Sequence, residues 1–540
     1  KGIFRNCVKL KSIDLEGVRS LGAFSFYGCN ALTEVTFPET LGDIESSAFA
    51  YCASLSKVVF EAENINFLHS SNHPPFMETA VKELVIPAKV KSIVAAQPFP
   101  TVERVTFESG LSCEKYGLNT PLISEISLPE GLKELSIGTF ANCANLKSVV
   151  LPEGLLAIGE YCFSESAVET LDLPASLSEL GVHALAGMSF KSFTVPETVK
   201  HIRKGCFYDC TKLETLNLPT SLESFGLTVD GTYTRYGVLE NTLVTELVLH
   251  GKNLTIGESI CPQYLRKLVI GKDVKSITTA IWNETGEWIT DIYSPLQGSS
   301  IYKIDYEEGS ALESVLGLYY KSPVQPVDNL PESLKNIGEY TFAYCDNLVK
   351  VVIPEGVISL GDYCFRNDAK LREVVFPTTL VELGRNCFEN CTSLPDNFPL
   401  PPSLKSVGSG VFSGCKFKTM TVPEEWTEIP AYLFSGSAIS SVVIPETVKA
   451  VGESAFRNCS ALTSVELKNI TEIGRSAFEN CSNLKSVSLS GVERIEPETF
   501  MNCTSLTGVN MVDVRSIGVD AFYGCSSLTT LSLPNTIEKI

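Results

Sequence analysis

Residues 455–533 read AFRNCSALTSVELKNITEIGRSAFENCSNLKSVSLSGVERIEPETFMNCTSLTGVNMVDVRSIGVDAFYGCSSLTTLSL. A phenylalanine returns every 22 residues in this stretch, and a cysteine follows three residues after each one. The pairs are Phe456/Cys459, Phe478/Cys481, Phe500/Cys503 and Phe522/Cys525. Self-similarity at a fixed period in the twenties indicates a solenoid, in which stacked repeats bury a shared core. The period predicts one continuous solenoid over residues 1–540, with about 23 coils of 22–23 residues.

Each repeat has three parts. The triad Leu-x-x-Val-x-Leu predicts a short strand, because its last two apolar residues are two apart and share a face. A proline often follows and ends the strand, since it has no N–H to donate. The motif Leu-x-x-Ile-Gly is interpreted as a second inward contact followed by a tight bend. The motif Ala-Phe-x-x-Cys predicts one helical or 3₁₀ turn. The residue before the cysteine is mostly Asn, Gly or Asp, which tolerate a left-handed backbone.

The cysteines follow the repeat. Of 18 cysteines, twelve lie three residues after the phenylalanine position, and four replace the alanine before it: Cys162, Cys206, Cys364 and Cys387. A residue that alternates with alanine acts as a small buried hydrophobe. Stacked strands lie about 4.8 Å apart, whereas the Cβ atoms of a disulfide lie about 3.8 Å apart. The pattern favours free buried thiols over a ladder of disulfides.

Composition excludes several classes of partner. The chain has 43 Lys and Arg against 63 Asp and Glu, a formal net charge of −20, which argues against nucleic acid or an anionic membrane. No apolar run approaches the roughly 18 residues of a transmembrane helix. The chain begins at the phenylalanine position of a repeat and stops within another repeat, so we expect a piece of a longer protein. A missing signal peptide is then uninformative about compartment.

Catalytic and metal-binding motifs are lacking in the sequence. There are five histidines. Two of them, His69 and His73, are four residues apart, but in the segment HSSNHPP, whose prolines disfavour a regular helix. There is no HExxH or CxxC motif, no phosphate-binding glycine loop and no nucleophile elbow. We expect no enzymatic activity, no metal and no cofactor.

Two regions, residues 62–79 and 226–331, break the period, and insertions in solenoids tend to form loops that carry function. Eight of the 18 tyrosines and two of the three tryptophans lie within residues 226–326. Exposed aromatic side chains anchor protein interfaces and also stack on sugars. The alternative is that an irregular coil needs bulky side chains to fill its core. The candidate binding residues are Tyr233, Tyr236, Trp288, Tyr293, Tyr302, Tyr306, Tyr319 and Tyr320.

The motifs Cys-x-x-Leu-x-x-Val-x-Leu-Pro (compare residues 29–38) and Leu-x-x-Ile-Gly-x-x-Ala-Phe-x-x-Cys (compare residues 41–52) resemble the BspA-like, or Treponema-type, leucine-rich repeat family. The resemblance implies a β-rich α/β fold: a right-handed solenoid with a parallel sheet on the concave side and short helical turns on the other. It also implies a secreted or surface-anchored protein of host-associated bacteria or protists, with a role in adhesion. Proline stands where ordinary leucine-rich repeats have asparagine, so the usual asparagine ladder is not expected.

These observations predict a non-catalytic, extracellular or cell-surface solenoid that binds a protein on host or neighbouring cells, most simply as a monomer. Two alternatives stay open. One is a glycan-binding surface protein that uses the aromatic residues of 226–331, and the other is a structural spacer that projects another domain.

The cysteine interpretation is tested by counting thiols. Alkylation of the denatured, unreduced protein, followed by intact-mass measurement, should give 18 adducts, one for each cysteine. A small number of adducts would show that the cysteines are paired.

Overall fold

The computed structural model describes residues 1–68, 72–95, 98–108, 115–227, 236–257, 260, 263–279, 295–296 and 299–540. These residues form parallel β-coils, about 20 in number. The coils divide into two compact units, Lys1–Arg266 and Lys267–Ile540. That the units form one continuous solenoid stays a prediction.

The first unit contains nineteen strands in the described residues. They are β1 (Ser20–Leu21), β2 (Glu34–Phe37), β3 (Asp43–Glu45), β4 (Lys57–Phe60), β5 (Asn64–Leu68), β6 (Glu83–Ile86), β7 (Ser92–Ala95), β8 (Arg104–Phe107), β9 (Lys115–Leu118), β10 (Glu125–Ile126), β11 (Glu134–Leu135), β12 (Ala157–Ile158), β13 (Glu179–Leu180), β14 (Ser192–Thr194), β15 (His201–Arg203), β16 (Thr215–Asn217), β17 (Ser224–Leu227), β18 (Glu246–Leu249) and β19 (Asn253–Ile256).

The second unit likewise contains nineteen strands in its described part. They are β20 (Lys267–Ile270), β21 (Ser276–Thr279), β22 (Ile304–Tyr306), β23 (Ser314–Leu316), β24 (Asn336–Ile337), β25 (Lys350–Val352), β26 (Ser359–Leu360), β27 (Glu373–Val375), β28 (Glu382–Leu383), β29 (Ser406–Val407), β30 (Thr419–Thr421), β31 (Glu428–Ile429), β32 (Ser441–Val443), β33 (Ala450–Val451), β34 (Glu472–Ile473), β35 (Ser486–Ser488), β36 (Arg494–Ile495), β37 (Gly508–Asn510) and β38 (Ser516–Ile517).

Most coils carry two strands, and the segment before the glycine forms the longer parallel ladder. In the first unit this ladder runs β1-β3-β5-β7-β9-β11-β12-β13-β15-β17-β19. In the second unit it runs β21-β23-β24-β26-β28-β29, and β31-β33-β34 and β36-β38 form shorter pieces. The triads also pair in parallel, but in groups of two or three strands such as β2-β4 and β6-β8-β10. The predicted parallel sheet is present, and its longest run comes from the second segment of the repeat.

In several coils, a glycine directly after the strand of the long ladder allows the backbones of adjacent coils to lie close together. A Cβ added to Gly361 would lie 2.5 Å from the backbone nitrogen of Glu339 in the preceding coil, and one on Gly474 would lie 2.5 Å from that of Glu453. Neither glycine has a positive φ. The glycine after the isoleucine therefore permits close approach of two backbones. The turn residues that follow it directly form the predicted bend.

The Ala-Phe-x-x-Cys segment is a run of turns, and no helix is found in the residues that the structure describes. In one coil, the N–H groups of Ser454, Phe456 and Asn458 donate to carbonyls of the next coil at 2.8–2.9 Å. The N–H groups of the intervening residues bond within the coil, three residues back, as Cys459 does to Phe456. The expected short helical turns do not form here because alternate donors leave the coil.

Left-handed residues make this alternation possible. All ten Asn, Gly or Asp residues that precede a column cysteine have φ between 56° and 74°, as predicted from their residue types. A second left-handed position lies four residues earlier, for example at Ser454 (φ 53°) before Asn458 (φ 61°).

An asparagine ladder runs along the position before the cysteine. The Nδ2 of Asn480 donates to Oδ1 of Asn458 at 2.8 Å, and that of Asn502 to Oδ1 of Asn480 at 2.9 Å. Where glycine follows in the next coil, as at Gly524 after Asn502, an added Cβ would overlap the asparagine Oδ1. The solenoid thus has an asparagine ladder, at a different repeat position from the strand-end asparagine of ordinary leucine-rich repeats.

The core is built from columns. Phe456, Phe478, Phe500 and Phe522 stack with ring centroids 5.2–5.5 Å apart and planes within 11° of parallel. The region 62–79 belongs to this core where it is described, because Phe76 stacks on Phe49 at 5.2 Å. In the same region β5 pairs with β3 and β7. It is a longer coil and not a loop outside the solenoid.

The sixteen cysteines of the described residues are all unpaired, which confirms the free-thiol interpretation for them. Cys113 and Cys261 lie outside the described residues. The column cysteines also donate a hydrogen bond: Sγ of Cys459 lies 3.0 Å from the carbonyl oxygen of Phe434 in the preceding coil. Burial raises the pKa of the Cys459 thiol to about 12, so the thiol stays protonated and can donate.

Asp368 occupies the cysteine position of its coil and is fully buried. Its Oδ1 accepts the N–H of Cys345 at 2.8 Å, and its Oδ2 has no hydrogen-bond partner. Burial, against the smaller opposing effect of the Cys345 bond, raises the pKa of this carboxyl well above its ordinary value. The cysteine position thus holds a protonated side chain in this coil as well, here the carboxyl of Asp368.

The pH dependence of stability tests this arrangement. In the unfolded chain Asp368 loses its proton near pH 4, whereas in the folded protein it retains the proton to higher pH. The contribution of Asp368 to the free energy of unfolding is therefore full below pH 4 and falls as pH rises. The fall is at most about 1.4 kcal/mol per pH unit and ends when the folded pKa is reached. Asp368→Asn should abolish this fall and be more stable than the parent at pH 8. Denaturation midpoints at pH 5 and pH 8 measure it, and an equal pH response in both proteins would contradict it.

Candidate functional site

Aromatic side chains occupy the earlier left-handed position in several coils, two residues before the core phenylalanine position. They are Phe24, Tyr161, His183, Tyr340, Tyr363 and Tyr432, with φ between 51° and 61°. A left-handed backbone is costly for bulky residues, at about 1–3 kcal/mol. The coil requires it at this position, which is also left-handed at Ser454 and Glu498. Aromatic side chains at one position of adjacent coils come to lie side by side, and where they are exposed they form a candidate binding surface.

One cluster of aromatic side chains lies in the first unit and consists of Tyr161, His183, Tyr208 and Tyr236. We call it the Tyr161 patch. Tyr161 stacks on His183 with centroids 4.9 Å apart and planes 9° from parallel. Tyr208 and Tyr236 meet the His183 ring edge-on at 5.5 Å and 5.8 Å, and each other at 4.4 Å. Tyr161 and Tyr236 are 38% and 44% exposed, which is high for side chains packed on one another.

The fold positions the two stacked rings. Tyr161 and His183 come from adjacent coils at the same repeat position, and their N–H groups donate to Val182 and Lys204 of the coils ahead. Behind His183 lies Gly205, where an added Cβ would overlap the imidazole. Successive coils therefore place these rings face to face, and the glycine leaves space for the imidazole.

His183 is the buried centre of the patch, with 4% of its surface exposed, and Nε2 has no partner among the residues that the structure describes. Burial and, to a smaller extent, the charge of Lys204 lower its pKa. The imidazole is therefore neutral at neutral pH.

Carboxylates surround the patch. Burial is the main cause that raises the pKa of Tyr161, and the charge of Glu160 raises it further. Burial is also the main cause that raises the pKa of Tyr208, and the charges of Asp209, Glu240 and Glu165 add to it. These electrostatic influences place four acidic side chains close to the tyrosine hydroxyls, so the exposed rings lie in a negative environment.

A second aromatic cluster lies in the second unit. Tyr363 stacks on Tyr340 at 4.7 Å, and Tyr320 meets Tyr340 and Tyr344 edge-on at 6.4 Å and 5.7 Å. Cations of the same chain cover it: Lys321 Nζ lies 5.1 Å from the Tyr320 ring centre, and the Arg366 guanidinium lies 5.2 Å from that of Tyr363.

A third cluster follows the same plan near the start of the first unit. Phe24, Tyr27 and Tyr51 contact one another, with centroids 5.8 Å and 5.2 Å apart. The Arg5 guanidinium lies 4.7 Å from the Tyr27 ring centre and 5.6 Å from that of Phe24.

The structure separates the candidate residues that the sequence selected. Tyr236 lies in the Tyr161 patch, and Tyr302 is 67% exposed. Tyr319 and Tyr320 are 1% and 3% exposed, so their prediction as exposed anchors is corrected: they fill the core, as the alternative interpretation held. The hydroxyl of Tyr306 hydrogen-bonds that of Tyr319 at 2.7 Å. The remaining candidates, Tyr233, Trp288 and Tyr293, lie outside the described residues.

Sequence reasoning missed Tyr161, His183 and Tyr208, because they belong to regular coils and add nothing to the local count of aromatic residues. A usable signal was present. Tyr161 and His183 are 22 residues apart at one repeat position, and Tyr340 and Tyr363 are 23 apart at the same position.

The described part of the chain contains no helix able to cross a lipid bilayer. Among the described residues, no three or more His, Cys, Asp or Glu side chains are grouped so as to hold a metal ion.

Comparison with known proteins gives a family match over most of the chain. The model of the BspA type leucine-rich repeat region (6 copies) matches residues 1–99, 114–229, 318–439 and 427–540. Residues 100–113 and 230–317 are unmatched, and the longer of these two stretches lies within the region where the period breaks. None of the curated proteins compared with the chain matches it.

Several solved structures of leucine-rich repeat proteins are similar. One from Bacteroides ovatus is 20% identical, with 97% of this chain and 87% of that chain covered and a TM-score of 0.24. One from Eubacterium ventriosum is 19% identical, covering 55% and 80%, with a TM-score of 0.32. A leucine-rich cell surface protein from Faecalibacterium prausnitzii is 19% identical, covering 85% and 83%, with a TM-score of 0.22.

The position of Tyr161 generates a stability prediction. Tyr161→Asn loses ring stacking worth about 0.5–1.5 kcal/mol, but asparagine adopts a left-handed backbone more easily and already occupies this repeat position at Asn386 (φ 53°). We expect a change in unfolding free energy below about 1 kcal/mol, whereas Phe163→Ala in the core should cost about 3–5 kcal/mol. Chemical denaturation compares the two, and equal losses would contradict a surface role for Tyr161.

Proposed function

Because the chain belongs to the BspA-type leucine-rich repeat family, we propose that it is a non-catalytic protein-binding or adhesion solenoid. It acts outside the cell or at the cell surface and recognises a protein on host or neighbouring cells. The observation that carries the proposal is the Tyr161 patch, whose tyrosines lie partly exposed beside strained backbone. Clustered exposed tyrosines are typical anchors of protein interfaces.

The architecture suits recognition of a macromolecule. Side chains at one repeat position come to lie beside one another in successive coils, so contacts extend over a surface instead of converging in a pocket. Tyr161 and His183 are in contact although they are 22 residues apart in the chain. Such a surface supports binding without requiring any catalytic group.

Charge adds to the argument. The formal net charge of −20 does not suit nucleic acid or anionic lipid, and it favours partners with basic surfaces through long-range attraction. We propose that the chain acts as a monomer with a single class of macromolecular partner.

The experiment is a binding screen with matched variants. The immobilised protein is exposed to purified extracellular-matrix and cell-surface proteins and, separately, to a glycan array. For any protein bound, Tyr161→Asn combined with Tyr236→Ala should weaken binding by roughly 10-fold or more, since interface anchors each contribute at least about 1 kcal/mol. Tyr432→Asn is the control, because Tyr432 has the same repeat position and 40% exposure but lies outside the patch.

The outcomes divide the alternatives. Protein binding that depends on the patch supports the proposal. Binding to glycans alone would favour the glycan-binding alternative, and no binding to either panel would favour the structural spacer.

A further inference from the structure

We propose that the Tyr161 patch binds arginine side chains presented by a basic protein partner. This inference rests on the proposed protein-binding function and names the chemistry that the partner must offer. It comes from comparing the three aromatic clusters of the molecule.

Two of the clusters already hold a cation from this chain. Arg5 lies over Tyr27 at 4.7 Å, Lys321 over Tyr320 at 5.1 Å, and Arg366 over Tyr363 at 5.2 Å. Cations within about 6 Å of a ring centre are attracted by the negative face of the ring. Within the described ranges, no lysine or arginine lies over Tyr161, Tyr208 or Tyr236 in this way. Among the described residues, the patch therefore has the construction of the other two clusters but no cation over its tyrosines.

The charges around the patch favour a positive ligand. Glu160, Glu165, Asp209 and Glu240 act on its tyrosines. His183 is neutral because burial and Lys204 lower its pKa, and Lys204 is itself only 7% exposed. Among the described residues, four carboxylates and the buried ammonium of Lys204 act on the patch, and this excess of negative charge attracts a cation.

The geometry selects among cations. A compact quaternary ammonium is held by a box of rings around an empty centre, but here His183 fills the centre and Gly205 closes the side behind it. What remains for a ligand is the open surface of Tyr161 and Tyr236.

A planar guanidinium suits such a surface, because it stacks flat on a ring while its N–H groups reach neighbouring carboxylates. The ammonium of lysine is more strongly hydrated and has no plane to stack. Arginine is therefore the side chain that matches both the rings and their acidic rim. The same molecule already uses this contact where Arg366 covers Tyr363.

The test uses three synthetic peptides of one sequence that carry two arginines, two lysines or two citrullines. Citrulline keeps the planar shape of arginine and removes its charge. Titration calorimetry at 0.15 M salt should rank binding as arginine over lysine over citrulline, with citrulline at least about 5-fold weaker than arginine, as expected for loss of a cation–π contact and its ion pairs.

Ring variants separate the patch from general attraction to an acidic protein. Tyr161→Asn with Tyr236→Ala leaves the net charge unchanged, so a loss of at least about 5-fold in arginine-peptide affinity reports the rings themselves. Tyr432→Asn should bind as the parent does. Circular dichroism and melting temperature check that each variant is folded.

Equal affinity for the arginine and citrulline peptides would overturn the inference, as would unchanged binding by the ring variant. Stronger competition by choline than by arginine methyl amide would also overturn it and indicate a quaternary-ammonium site. If these peptides fail while a protein in the screen still depends on the patch, the proposed function stands and only the arginine assignment falls. If both fail, the protein-binding role of the patch falls as well.

Discussion

The hydrogen bond that alternate turn residues donate to the next coil is the interaction on which the rest of the structure depends. A coil such as 454–459 satisfies only half of its turn N–H groups internally, and Ser454, Phe456 and Asn458 need carbonyls of their neighbour. Buried donors without partners cost about 1–3 kcal/mol each. Stability is consequently a property of adjacent coils together, as in other repeat proteins.

This requirement selects residue types column by column. Close backbone approach needs glycine, as at Gly361 and Gly474. The carbonyl of a core phenylalanine has room for a second donor, and the cysteine of the following coil supplies it, as Cys459 does for Phe434. Asp368 fits the same column only as the protonated acid. A column that looked merely small and apolar thus also forms hydrogen bonds between coils.

The periodic features were predictable because they repeat many times: the solenoid, the two inward segments, the left-handed residue before cysteine and the unpaired thiols. The helical turn is not confirmed, because Phe and Cys three apart fit both a 3₁₀ turn and a β-turn, and the choice depends on donors in another coil. The Tyr161 patch escaped because its four members come from separate coils, and only Tyr236 lies in the irregular region. Tyr319 and Tyr320 show the converse, since a local excess of aromatic residues partly served the core.

The asparagine position has a consequence for how such arrays grow. Between two asparagines, as at Asn458 and Asn480, the amides bond in series, whereas Asn502 fills the space left by Gly524. The residue at this position in one coil therefore restricts which residue fits at the same position in the next coil, and the restriction acts from the earlier coil to the later one. Tandem duplication of an asparagine coil continues the series of amides, whereas a side chain in the place of Gly524 requires the Asn502 amide to shift. Lengthening by copying should be tolerated more readily than shuffling.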